Sequence, residues 1–208
     1  TPSEDNPDVW LQFSFILRPG VSTDLVTPYP GEGVTFFEPT TSFTGINRDG
    51  TQIVGWFTAN AIGQIHALDM TPDGGGWTAF NDLCTMSSPD ENSSATAVNN
   101  DGQIVGWSYS STSGYAAFLY DGTFSNLGTL GGTNSWARDI NDNGLIVGEG
   151  DTADWYTQPF LYDSNTDTMT PLGSLGGGNG SAAAINNDGQ IVGWSLNANG
   201  EKRGFLID

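Results

Sequence analysis

Asp139-Ile140-Asn141-Asp142-Asn143-Gly144-Leu145-Ile146-Val147-Gly148 is the stretch whose reading decides the fold. An Asn side chain can bond the backbone just after it, and a Gly accepts positive φ, so Asn-x-Asn-Gly reads as a hairpin turn. The Ile-Val-Gly run that follows reads as the return strand. The phrase occurs three more times. Gly45-Ile46-Asn47-Arg48-Asp49-Gly50 leads to Ile53-Val54-Gly55-Trp56, Ala97-Val98-Asn99-Asn100-Asp101-Gly102 leads to Ile104-Val105-Gly106-Trp107, and Ala184-Ile185-Asn186-Asn187-Asp188-Gly189 leads to Ile191-Val192-Gly193-Trp194. The anchoring asparagines 47, 99, 141 and 186 lie 52, 42 and 45 residues apart. A period of that size with strand chemistry marks propeller blades or a similar array.

Outward from the turn, each unit divides into four strands, A to D. Strand A ends at the Ile-Asn pair and strand B is the Ile-Val-Gly-Trp run. Strand C reads Ala117-Phe118-Leu119-Tyr120, Pro159-Phe160-Leu161-Tyr162 and Gly204-Phe205-Leu206-Ile207, with a weaker copy at His66-Ala67-Leu68. Strand D is read through Ser125–Gly132 and Thr170–Gly177. The strand-B glycines 55, 106, 148 and 193 mark a place where a side chain would obstruct a neighbour or a bulge. The first repeat is one residue longer between Gly50 and Gly55, which predicts a β-bulge near Thr51. No segment has a helical period.

This pattern resembles the HAF repeat family of probable extracellular bacterial proteins. The resemblance rests on Gly128-Thr129-Leu130-Gly131-Gly132, Ser135-x-Ala137, Ile140-Asn141, Gly144, Val147-Gly148 and the Ala-Phe-Leu-aromatic strand, and it covers roughly residues 41–208. It implies an extracellular, β-propeller-like array and no particular activity. The eponymous His-Ala-Phe survives only as His66-Ala67-Leu68.

The composition agrees with an all-β reading. The chain has 208 residues, 29 glycines, 7 tryptophans and only 14% charged residues, yet its net charge is −19. Five basic residues in an acidic field argue against nucleic-acid binding, which needs Lys and Arg to displace counterions. No apolar run is long enough for a transmembrane helix. Cys84 is the sole cysteine, so no intrachain disulfide forms, and it reads as a small apolar residue. The chain starts Thr1-Pro2-Ser3, without initiator Met or signal sequence, which reads as a processed or recombinant chain.

Residues 1–8 are read as an extension and 9–208 as one propeller domain, with repeat cores near 41–56, 93–107, 135–149 and 180–194. Within it, Phe13–Gly20 looks like a strand C and Val21–Pro28 like a strand D. The chain then holds one strand C more than a four-bladed ring closed by its terminal strands requires. That strand lies elsewhere, belongs to an array that closes differently, or completes a blade of a neighbouring molecule. The last option is strand addition, which makes filaments when the rotation does not close. Phe13, Phe15, Leu17, Phe205 and Ile207 are the assembly candidates.

Chemistry is harder to place. The acidic turns suggest calcium, with Asp49, Asp101, Asp139, Asn141, Asn143 and Asp188 as weak candidate ligands, but an EF-type ligand set is incomplete in every copy. A shorter loop with backbone carbonyls remains open as a calcium site, and no other cofactor is expected. One histidine, His66, excludes a His-rich metal site. Glu149, Asp151 and Asp154 cluster as a glycoside-hydrolase pair would, although a solvated loop rim is the favoured reading of them. Trp56, Trp107 and Trp194 occupy equivalent positions, and Glu149 takes that position in the third repeat. Such tryptophans either stack on sugar rings or fill space between blades. Asn92-Ser93-Ser94 and Asn179-Gly180-Ser181 are glycosylation sequons. The expected function is a secreted, non-enzymatic structural or interaction protein of the cell surface or matrix. A glycan-binding, lectin-like propeller is the alternative, and a carboxylate-based hydrolase comes last.

Overall fold

The computed structural model describes residues 41–59, 63–72, 79–86 and 91–208. The strands read at 13–28, and with them Phe13, Phe15 and Leu17, lie outside the described residues, as does the extension at 1–8. The described chain is all-β and β-propeller-like. Four antiparallel sheets follow one another, each built from strands in sequence order. The first holds β1 (Thr41–Ile46), β2 (Ile53–Thr58), β3 (Ile65–Thr71) and β4 (Ala79–Cys84). The second holds β5 (Ser93–Val98), β6 (Ile104–Ser110), β7 (Gly114–Tyr120) and β8 (Phe124–Asn126). The third holds β9 (Gly131–Ile140), β10 (Leu145–Thr152), β11 (Thr157–Asp163) and β12 (Thr168–Pro171). The fourth has three strands, β13 (Gly176–Ile185), β14 (Ile191–Asn197) and β15 (Lys202–Ile207).

Two boundaries differ from the sequence reading. Gly131-Gly132 and Gly176-Gly177 open strand A of the next sheet and do not end strand D. The extra residue of the first repeat is absorbed in the turn, where Asn47 N–H donates to the Gln52 carbonyl, whereas Asn99 N–H reaches Gln103. A bulge does exist, but in strand A of all four sheets: the pairing skips Thr44, Thr96, Arg138 and Ala183. This explains the strand-B glycines. Each lies opposite the bulge, and a Cβ there would collide with the carbonyl oxygen of Ser42, Ser94, Trp136 or Ser181.

The sheets pack face to face, and the same positions recur at each contact. Between the first and second sheets, Val54, Ala67 and Leu83 meet Ala95, Val98, Ile104 and Phe118. Between the second and third, Val105, Ala117 and Leu127 meet Ala137, Ile140, Ile146 and Phe160. Between the third and fourth, Val147 meets Ala182, Ile185 and Ile191, with Phe205 and Ile207 packed against them. Burying one such Val or Ile is worth ~1.5–3 kcal/mol. Small Ala on strand A lets the facing sheet approach, and a Phe on strand C fills the space beside it. The last sheet breaks the pattern. Val192 is 45% exposed, although its counterparts Val54, Val105 and Val147 are fully buried, and its cross-strand partner Leu206 is 61% exposed.

Candidate functional site

Each sheet offers two ends for chemistry: the A–B turns at one and the B–C hairpins at the other. At the turn end, the four asparagines do what the sequence expects. Asn99 Oδ1 accepts from the N–H groups of Asp101 (3.1 Å) and Gln103 (2.9 Å). Asn141 and Asn186 repeat this with Asn143 and Leu145, and with Asp188 and Gln190. Asn47 bonds Thr51 and Gln52. The turns are also tied to one another. Asn99 Nδ2 donates to the Asn141 carbonyl (3.1 Å), and Asn141 Nδ2 to the Asn186 carbonyl (2.9 Å). One residue on, Asp142 accepts from the N–H and Nδ2 of Asn100 and from Asn187 Nδ2. These bonds, the Asn100 N–H first, hold the Asp142 carboxyl below its usual range, with Arg48 adding a smaller attraction.

The candidate cation ligands therefore have local partners. Asn141 and Asn143 are spent on turn and inter-sheet bonds, Asn143 Nδ2 reaching the Asn187 carbonyl. Asp139 accepts from Ile140 N–H and, across the sheet contact, from Ile185 N–H (both 2.9 Å). Burial outweighs those bonds and pushes its carboxyl above the ordinary range. Asp49, Asp101 and Asp188 lie exposed on separate turns. The described residues contain no group of three His, Cys, Asp or Glu side chains placed to hold a metal.

Trp56 and Trp107 share a strand face with Val54 and Val105, the side that meets the following sheet, whereas Trp194 shares its face with the exposed Val192. All three are half-buried. Trp107 packs edge-on against Tyr115, which lies 5.4 Å from Trp136 of the next sheet. Trp194 is on the last sheet, where Lys202 Nζ stands 4.0 Å from its ring centre. Glu149, at the same position, is buried. One oxygen takes both Arg138 Nε and its NH2 group, and the other takes the Ser181 hydroxyl of the next sheet. Arg138 is itself the bulged residue where two other sheets have Thr, so one departure in strand A answers another in strand B. Phe205 and Ile207 point into the contact with the third sheet, while Leu206 points away from it. His66 is buried, with Nδ1 3.0 Å from the Asp82 carboxylate.

Hydroxyl and amide side chains staple each strand C to the next strand A. Ser93 Oγ accepts from Ala67 N–H (2.8 Å) and Ser135 Oγ from Ala117 N–H (2.9 Å). In the third contact Pro159 has no N–H, and Gly180 stands where the serine would be. Nearby, Asn92, Asn134 and Asn179 accept the N–H groups of Ile65, Tyr115 and Thr157. Both sequon asparagines are thus engaged in inter-sheet bonds.

The B–C end is different in each sheet, and it carries the exposed aromatic side chains. Trp155 is 83% exposed, Tyr156 47% and Tyr115 36%. Trp155 holds a left-handed φ of 65°, rare for a non-glycine residue. The hairpin fixes it there: Trp155 N–H donates to the Thr152 carbonyl, and Thr152 N–H to the Tyr156 carbonyl. Asp151 below it is bonded on both oxygens, by Asn134 Nδ2 (2.7 Å) and the Thr157 hydroxyl (2.9 Å). The sequence reading passed over Trp155 because it has no counterpart in the other repeats. The one signal for it was its place in an acidic hairpin.

Comparison with known proteins adds a fold and little more. Residues 128–208, the third and fourth sheets, match a family described only as a protein of unknown function (DUF3466). No curated protein sequence matches. Among solved structures, the chain is similar to a putative TolB from Agrobacterium tumefaciens, with a TM-score of 0.55, 15% identity, and 81% of this chain and 58% of that one covered. It is similar to a puromycin hydrolase S511A mutant complexed with PGG, at TM-score 0.55 and 16% identity, over 78% of this chain and 26% of that one. A TolB from Acinetobacter baumannii gives TM-score 0.50 and 16% identity, over 89% and 45%. The chain thus spans 58% or less of each of these proteins. Likeness at that identity supports the β-propeller-like fold alone.

Proposed function

We propose that the chain is a non-enzymatic structural and interaction protein of the cell surface or extracellular matrix, and that it assembles through its fourth sheet. The observation that carries this reading is the unfinished state of that sheet. β15 has no fourth strand beside it among the described residues, and Val192 and Leu206 are exposed where the other sheets bury the corresponding valine. In finer terms, the four sheets are four blades, and a terminal strand completes the last one, within a chain or from a neighbouring chain. The second arrangement links molecules head to tail into filaments. The resemblance to HAF repeats supports the extracellular setting. The non-enzymatic part is supported by Glu149 and Asp151, whose oxygens are all engaged in structural bonds. Sedimentation velocity across a wide concentration range, with electron microscopy of the same samples, tests assembly. Growth in size with concentration is expected. A compact monomer throughout sinks the assembly reading.

A lectin-like function is the second reading. It is favoured by the exposed aromatic rings at the B–C end.

A further inference from the structure

On the lectin-like reading, we propose that the B–C hairpin of the third sheet is a binding site for neutral polysaccharide, with Trp155 as its stacking platform and Tyr156 beside it. A sugar ring has a flat C–H face that packs on an aromatic ring, and hydroxyls around its edge that seek hydrogen bonds. Trp155 offers the first requirement, because 83% of it is open to solvent although Trp is a large apolar side chain. Its left-handed φ of 65° is strained for a non-glycine residue, and the two backbone bonds across residues 152–156 hold it there. Tyr156 rests against Gly178 of β13, where a Cβ would collide with its ring. The exposed carboxylate of Asp154 is the adjacent acceptor for sugar hydroxyls.

The platform is rigid. Asp151 ties the hairpin base to Asn134 of β9, Asn134 accepts Tyr115 N–H of the second sheet, and Thr157 N–H donates to Asn179 of the fourth, so the third hairpin is bonded to both neighbouring sheets. That rigidity suits a ligand recognised by shape, since little ordering is left to the binding step. Charge selects the class. The chain carries −19 with only five basic residues, and Asp151 and Asp154 lie in the same hairpin as Trp155, so phosphate, sulfate and uronate groups are repelled.

The test is affinity electrophoresis of the intact chain in native gels containing β-glucan, xylan, galactomannan or dextran, with alginate as the anionic comparison. Retardation by at least one neutral polysaccharide is expected. Trp155→Ala should weaken it by about tenfold or more and Tyr156→Ala by less. Melting curves should match the parent, because the Trp155 side chain packs on little. Equal retardation of the parent and Trp155→Ala overturns this site while leaving the lectin-like reading in place. No retardation by any of these polysaccharides overturns both, and retardation by alginate alone overturns the neutral-ligand assignment.

Discussion

The two ends of the sheets differ in what they spend their side chains on. At the A–B turns, almost every polar group bonds its own turn or the next one, from Asn99 through Asn141 to Asn186. At the B–C hairpins, the base is bonded equally well, through Asn92, Asn134 and Asn179, but the tips differ and leave aromatic rings in solvent. The difference teaches that repetition in this chain marks structure. Where four sheets must meet in the same way, the same residue is needed each time. Where the repeat is broken, the side chain either finds a local partner, as Glu149 does in Arg138 and Ser181, or is left to solvent, as Trp155 is.

This contrast can be attacked residue by residue. The largest effect is expected at Gly148→Val. The new side chain would meet the Trp136 carbonyl and the Ala137 backbone, neither of which can move without breaking β9 from β10. A loss of ~4 kcal/mol or more, or failure to fold, is expected in urea denaturation. A variant with parental stability would refute the packed-bulge account.

Valine to aspartate separates a closed sheet contact from the open one. Val147→Asp buries a charge and should cost ~4 kcal/mol, whereas Val192→Asp should cost under ~1 kcal/mol in a dilute sample. Equal losses would mean that the fourth sheet is covered after all. If Val192→Asp also abolishes concentration-dependent growth, the open face is part of assembly.

Asn141→Ala removes three bonds from a buried side chain and leaves the Asn143 and Leu145 N–H groups without that acceptor. A loss of about 2–3 kcal/mol is expected from equilibrium unfolding. A fall under ~0.5 kcal/mol, the range of an ordinary surface substitution, would show the turn ladder to be incidental.

Asp139 gives a smaller, pH-dependent signal. Its folded pKa is raised by burial, so the fold favours the protonated form. Its contribution is therefore most favourable below the ordinary carboxyl pKa of about 4 and is lost as pH rises through the folded value. Asp142 runs the other way: its lowered pKa supports the fold above about 4 and that support fades as pH falls. Asp139→Asn should remove the first trend and keep the second. A parent-to-variant stability difference that stays flat from acid to neutral pH would contradict the assignment. Smallest of all, Trp155→Ala should leave stability within ~0.5 kcal/mol.

Much of the fold was legible because hairpin turns are local chemistry. Asn-x-Asp-Gly needs no distant partner to be recognised, and the strand-B glycine announced a close approach. What could not be read was which neighbour each strand meets. The tryptophans at 56, 107 and 194 read either as sugar platforms or as packing between units, and the surroundings of Trp107 involve Tyr115 and, beyond it, Trp136 of the next sheet. Glu149 stood out as an exception, but its explanation needs Arg138 and Ser181 together. The hairpin at Trp155 was invisible for the opposite reason: nothing repeats it, and exposure is not written in a single residue.

Pro159 and Gly180 carry a consequence for how such a chain can change. The first two contacts join an N–H to a hydroxyl, and the third has neither half. Units are therefore not interchangeable cassettes. Moving the fourth unit to follow the second would set Gly180 against Ala117, stranding a buried donor at a cost of ~1–3 kcal/mol. Moving the third to follow itself would leave Ser135 facing a proline. Duplication and shuffling must carry both halves at once, so the present order of units is partly locked in by a missing hydrogen bond.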